Sequence, residues 1–222
     1  MICIPIMAKN TDGALKRMAK ANSLADMIEI RLDVMEEFDL KKIIGSATKP
    51  VLVTYRSKKE GGRGSAGYGT RVRYLSDAME ASADYVDVEF SIPLEHRQKI
   101  FQKRGSCGIV VSLHVRNGTP SREKLEGVFK TMVATGADVV KIVTWARNRE
   151  DNLRLLELIP RARAIGIKII AFCMGPLGRI SRIASPLMGG YVTFASLESG
   201  EESASGQIPA PDMKKMLEIL SR

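Results

Sequence analysis

The sequence predicts a (β/α)8 barrel, a single domain spanning residues 1–222. Three observations predict it. Eight short β-branched runs recur roughly every 20–35 residues. Amphipathic stretches with helical spacing separate them. Polar, chemistry-bearing residues gather at the C-terminal ends of the runs, where such barrels keep their chemistry. Alternating strands and helices pair in parallel through crossovers, and eight units in a row favour closure over the alternative, an open doubly wound sheet. No linker or low-complexity segment divides the chain, and the repeat is structural, without a matching sequence repeat.

The first strand is Ile2–Met7; the opening residues lack a basic n-region and a cleavage site, so they read as a strand rather than a signal peptide. The second, Met27–Asp33, puts Glu29, Arg31 and Asp33 on one face and Ile30 and Leu32 on the other. On an edge strand the charged face would be solvated; in a barrel it faces the interior, where charges must pair or serve a ligand. Val51–Arg56 is the third. The glycine-containing stretch from Thr54 to Gly69 that follows lacks a Gly-Lys-Ser/Thr ending, so it reads as a mobile loop rather than a phosphate cradle. Tyr85–Phe90 carries Asp87 and Glu89, and Gly108–His114 ends on a histidine. A helix over Ser121–Thr135 is capped by Ser121 and closed by Gly136. The sixth strand is Ala137–Thr144. One helix over Asn148–Ala164 follows, capped by Asn148 and closed by Gly166. Ile167–Cys173 leads to Arg179 and Arg182, and Tyr191–Ala195 leads to a polar segment with Ser203 and Gln207.

Composition narrows the function classes. With 45% apolar residues the chain builds a core, yet no run approaches the ~18 apolar residues of a membrane span. A cytoplasmic protein with no membrane partner is expected. Cys3, Cys107 and Cys173 lack metal or redox spacing and read as buried filler in a reducing compartment. Two histidines and no cysteine cluster leave no structural zinc site. The net charge of +9 suits nucleic acid or a small anion. Aromatics are only 5%, and Arg161-Ala162-Arg163 reads as a solvated helix face, so the small anion is preferred and no nucleic acid is expected.

Lys141 lies inside Val139-Val140-Lys141-Ile142-Val143, a run suited to burial on both faces. Burial lowers an amine's pKa and makes it a nucleophile toward ketones. The alternative is a lysine that snorkels to water or pairs with a carboxylate. His114 ends the neighbouring strand and is the reasonable source of an imidazole for proton transfer; His96 sits in a polar helical stretch.

Taken in order, Glu29-x-Arg31-x-Asp33, Arg56-Ser57-x-x-Glu60-Gly61-Gly62, Asp87-x-Glu89, Ser112-x-His114, Lys141, Ile180-Ser181-Arg182 and Ser203-Ala204-x-Gly206-Gln207 resemble the type I 3-dehydroquinate dehydratases. The resemblance runs nearly end to end. It implies a (β/α)8 barrel, commonly a homodimer, that uses no metal and no cofactor and takes 3-dehydroquinate, a small anion. It implies that Lys141 forms an imine, His114 transfers protons and Glu60 orients the histidine. Glu29, Arg31, Arg56, Arg182, Ser203 and Gln207 become substrate contacts, with Asp87 nearby. Two departures stand out: Val115-Arg116-Asn117, where many relatives have an acidic and aromatic pair, and Ser205, where many have proline. The rivals are a Schiff-base aldolase, whose glycine-rich phosphate site should follow strands seven and eight, and a non-catalytic basic binding protein. Gly189-Gly190 precedes strand eight, the wrong end for such a site.

Overall fold

The strands are β1 (Ile2–Ile6), β2 (Met27–Arg31), β3 (Val51–Thr54), β4 (Tyr85–Glu89), β5 (Gly108–Val115), β6 (Val139–Trp145), β7 (Lys168–Met174) and β8 (Thr193–Phe194). In this computed structural model, which describes residues 1–221, they form one parallel sheet in the order β7-β6-β5-β4-β3-β2-β1-β8. The sheet curls into a nearly closed barrel. β8 pairs with β1, and the Tyr191 N–H donates to Ile169 O at 2.7 Å to bring β8 against β7. The Tyr85 and Tyr191 hydroxyls meet at 2.8 Å.

Helices wrap the sheet: α1 (Thr11–Ala21), α2 (Leu40–Gly45), α3 (Tyr68–Glu80), α4 (Leu94–Gln102), α5 (Arg122–Val133), α6 (Glu150–Leu156), α7 (Leu158–Ala164), α8 (Arg179–Leu187) and α9 (Ala210–Leu220). Among the described residues none is long and apolar enough to cross a membrane. Ser121 caps α5 as expected, accepting from Lys124 N–H, and Gly136 follows it with φ +79°. The single helix expected over Asn148–Ala164 is instead two, α6 and α7, broken at Glu157. Pro160 has no N–H for the Leu156 carbonyl four residues back, so the helix turns there. Asn148 Oδ1 still accepts the Asp151 N–H at 3.0 Å.

Strand parity sets two cores. Ile28, Ile30, Val86, Val88, Val140 and Ile142 face outward into the layer beneath the helices. Met27, Leu52, Val110, Val139 and Ile170 fill the lower barrel with Cys3 and Phe194. Above them the interior becomes polar.

A short sequence repeat accompanies this, where only a structural one was expected. Ala25-Asp26-Met27-Ile28-Glu29-Ile30, Ala83-Asp84-Tyr85-Val86-Asp87-Val88 and Ala137-Asp138-Val139-Val140-Lys141-Ile142 occupy equivalent places on β2, β4 and β6. Each aspartate accepts a main-chain N–H at the start of the preceding strand: Ile2 at 2.7 Å, Val51 at 2.8 Å and Ile109 at 2.7 Å. Three residues on, each segment sends one charged side chain inward: Glu29, Asp87 and Lys141. Alternate strands supply a layer in such barrels, and here that layer is ionic.

Asp138→Ala leaves the buried Ile109 N–H without a partner, at a cost of about 1–3 kcal/mol. Urea denaturation should show a lower midpoint at unchanged slope; an unchanged midpoint would show that the aspartate does not clamp the strand.

Candidate active site

The C-terminal strand ends enclose a cavity of about 270 Å³. Nine of the ten site residues expected from the sequence line it: Glu29, Arg31, Arg56, Glu60, His114, Lys141, Arg182, Ser203 and Gln207. The tenth, Asp87, lies behind the wall, 1% exposed. Arg179 is exposed and stays outside. Trp145, Met174, Phe172 and Phe194 supply apolar walls that the polar motifs gave no reason to single out. Their inward parity at strand ends was the available signal.

Lys141 sits opposite Ser112 in the β5–β6 register. Along the chain its neighbours are apolar, as expected, but across the barrel they are charged. Its Nζ lies 3.2 Å from Asp87 Oδ2 and 3.9 Å from Glu29 Oε1, with the Phe194 ring centroid at 4.1 Å. These are partners for an ammonium, so the apolar seat expected for an uncharged amine is replaced by an ion-paired one. Glu29 is held in turn by the Thr54 hydroxyl, 2.7 Å away. Burial pushes the Asp87 carboxyl up, but Arg56, Lys141 and the Ser112 hydroxyl together hold it below its usual range.

Arg56 is spent inside the protein. Its Nη2 donates to Asp87 at 2.6 Å; its Nη1 reaches Ser112 Oγ at 2.9 Å, Glu89 at 3.3 Å and Glu60 at 3.5 Å. Arg31 forms a two-pronged pair with Asp33, at 2.7 and 2.8 Å. Asp33 also accepts the Arg56 N–H and the Arg63 N–H, while the Tyr55 hydroxyl accepts from Ala66 N–H. The stretch after β3, expected to be mobile, is therefore tied down. Lys58–Glu60 forms one 3-10 turn, capped by Ser57 Oγ and closed by Gly61 at φ +92°. That turn delivers Glu60.

Glu60 Oε2 accepts the His114 N–H at 3.1 Å and stands 3.1 Å from Nδ1. A proton on Nδ1 leaves the Nε2 lone pair for other work. Burial, with Arg56 and Lys141 close by, pushes the imidazole well below the ordinary histidine value. Burial also raises the Glu60 carboxyl to about 7, against the pull of Arg56.

Arg182 differs from the other cations. It is 1% exposed and stacks on Phe172 at 4.5 Å. Nη2 donates to Ser205 O at 3.1 Å, but Nε and Nη1 have no partner among the described residues. Burial without a carboxylate lowers its pKa to about 10. An unpaired buried guanidinium is costly and marks the seat of an anion. Its main chain is fixed unusually: Pro186 inside α8 has no N–H for the Arg182 carbonyl, and Thr193 Oγ1 of β8 donates instead at 2.7 Å. The Ser205 departure is mild, because its contact is a main-chain carbonyl that any residue supplies. Gln207 Oε1 folds the last loop by accepting the Ser203 N–H at 2.7 Å and its hydroxyl at 3.2 Å.

A buried lysine ion-paired at the active end of a parallel barrel, beside an imidazole and an unspent guanidinium, places the molecule among the (β/α)8-barrel enzymes. The sequence signature of type I 3-dehydroquinase matches residues 2–222. The chain belongs to that family, a family of hydro-lyases. It is 39% identical to the bifunctional 3-dehydroquinate dehydratase/shikimate dehydrogenase, chloroplastic, of Arabidopsis thaliana, over 99% of this chain and 36% of that protein. It therefore spans about a third of that relative's length. It is 35% identical to the 3-dehydroquinate dehydratase of Thermococcus onnurineus, over 99% of this chain and 98% of the other. The crystal structure of 3-dehydroquinate dehydratase from Geobacillus kaustophilus superposes with a TM-score of 0.88 at 29% identity, covering 99% and 90% of the two chains.

An imidazole held neutral by burial should keep its lone pair into mildly acidic solution. In an NMR titration the His114 ring should reach its midpoint well below 6.5. A midpoint at or above that value would show that Glu60, not burial, dominates.

Proposed function

We propose that this chain converts 3-dehydroquinate to 3-dehydroshikimate and water, the third step of the shikimate pathway, through an imine on Lys141. The observation that carries the reading is the seat of Lys141, an amine within reach of a cavity that His114 and Arg182 also line. Arg182 takes the ring carboxylate with its unspent Nε and Nη1. Glu29, Arg31, Ser203 and Gln207 meet the hydroxyls and the carbonyl region. Arg56 and Asp87 serve the site mainly through the ion network.

The chemistry balances without loss of charge. Condensation of an ammonium with the C3 ketone gives a protonated imine and water, so this step leaves the net charge beside Asp87 and Glu29 unchanged; in the enamine that follows, the charge passes to the His114 imidazolium. The carboxylates that pair with Lys141 at rest then pair with the iminium. His114 carries the proton released during attack back onto the departing hydroxyl. It next removes the C2 proton, and the C2–H electron pair flows into the iminium to give an enamine. The enamine expels the C1 hydroxyl, which takes the proton from the imidazolium and leaves as water. One imidazole serving both groups implies loss from the same side of the ring. Hydrolysis of the imine releases product and restores Lys141. Glu60, bonded to both the ring and the main chain of His114, keeps the imidazole in place for both transfers.

The anion site here is a side-chain guanidinium within the barrel. A phosphorylated substrate of an aldolase would call for backbone N–H groups after β7 and β8. We also infer a homodimer. Exposed Leu153 on α6, with Leu177 in the turn before α8 and Ile180 in its first turn, offers an apolar surface for it. The proposed cytoplasmic location rests on the sequence alone.

Borohydride added with 3-dehydroquinate should trap an adduct on Lys141, seen by peptide mass spectrometry; an adduct elsewhere, or none, overturns the imine. His114→Ala should still trap the adduct while kcat falls by roughly 10²–10⁴-fold. Turnover within a few-fold of the parent would remove His114 as the proton carrier.

A further inference from the structure

Five cationic side chains line the cavity: Arg31, Arg56, Lys141, Arg182 and Arg116. Three of them are committed to carboxylates of the protein itself, Arg31 to Asp33, Arg56 to Asp87 and Glu89, and Lys141 to Asp87 and Glu29. Arg182 is unspent and buried. Arg116 is unspent and exposed, with no carboxylate paired to it among the described residues. The dehydration chemistry above assigns it nothing.

An exposed arginine is ordinarily a solvated surface residue. Two features separate Arg116 from that case. It follows β5 directly and continues the parity of Ser112 and His114, whose side chains turn into the barrel. Its side chain then lies along Gly61. A β-carbon on Gly61 would stand 3.2 Å from Arg116 Nε and 3.4 Å from Cδ, and Gly61 has φ +92°, a conformation that side-chain-bearing residues rarely adopt. The wall beside Glu60 is thus bare backbone, and the guanidinium lies across it at the mouth of the cavity.

We propose that Arg116 is a second guanidinium for the anionic substrate, stationed at the mouth to draw in the carboxylate and then to hold the polar rim of the bound ring. The proposal rests on the dehydratase reading and extends it. Arg182, deep and desolvated, sets where the carboxylate ends. Arg116, in high dielectric, sets how readily the anion arrives, and its effect should weaken as salt screens it.

Trp145 is the only tryptophan of the chain and lines the same cavity, so its fluorescence reports occupancy. The probe is shikimate, which has a ring carboxylate and hydroxyls but no ketone and so forms no imine. Arg116→Gln should weaken shikimate binding by roughly 3- to 10-fold at low ionic strength, and the gap should close near 0.5 M salt, where the Debye length is only about 4 Å. Arg116→Lys should retain most of the salt dependence. In turnover of 3-dehydroquinate the loss in Arg116→Gln should fall on KM rather than kcat. A merely structural role would lower the thermal midpoint and leave the salt slope of binding untouched. Equal affinity and equal salt slope in Arg116→Gln and the parent overturn the proposal alone. Failure of the parent to bind shikimate at all overturns the dehydratase reading and this proposal with it.

Discussion

Arg56 is the side chain on which the rest of the site depends. One guanidinium reaches Asp87, Glu89, Glu60 and Ser112, drawing β4, the turn after β3 and β5 together around a single charge. Ionised groups this deep cost several kcal/mol each unless paired, and removal of one partner leaves the others uncompensated. The carboxylates hold Arg56 in its charged form against the cost of burial, and Arg56 helps hold Asp87 ionised. Asp87 then holds Lys141, and Glu60 then holds His114. Lys141 and His114 are thus positioned through one arginine.

The same network gives the lysine and the histidine opposite electrostatic surroundings within one cavity. Lys141 faces two carboxylates and an aromatic ring. His114 faces one carboxyl that burial has raised to about 7, and the cations Arg56, Lys141, Arg31 and Arg182 stand around it. The first position offers carboxylate partners to a cation, and the second disfavours a charged ring. That contrast separates a seat that attracts a cation from one that repels it. It comes from placement, since both residues lie on neighbouring strands among similar apolar neighbours.

Much of this was legible in the chain. The eight strands, their parallel pairing and the gathering of Glu29, Glu60, His114, Lys141 and Arg182 at one end followed from periodicity and from the ordered resemblance. The split of α6 from α7 was readable from Pro160 but was outweighed by the apolar spacing on either side of it. The three Ala-Asp segments are also present in the sequence, but six residues recurring far apart look like chance until the sheet aligns them. The firm anchoring of the stretch after β3 was not legible. It depends on Asp33 and the Tyr55 hydroxyl, whose partners are fixed only once the chain has closed around them.

The sequence by itself determined which residues face inward, because strand parity is local and alternation is written along the chain. It determined the inventory of charges for the same reason. Only the tertiary structure decided how those charges pair. Arg56 and Arg182 are alike as residues, yet one is consumed by four acceptors and the other retains two nitrogens with no partner among the described residues. Pairing of buried charge depends on distances of a few ångströms across the barrel, between residues far apart in the chain, and those distances are set by register and closure.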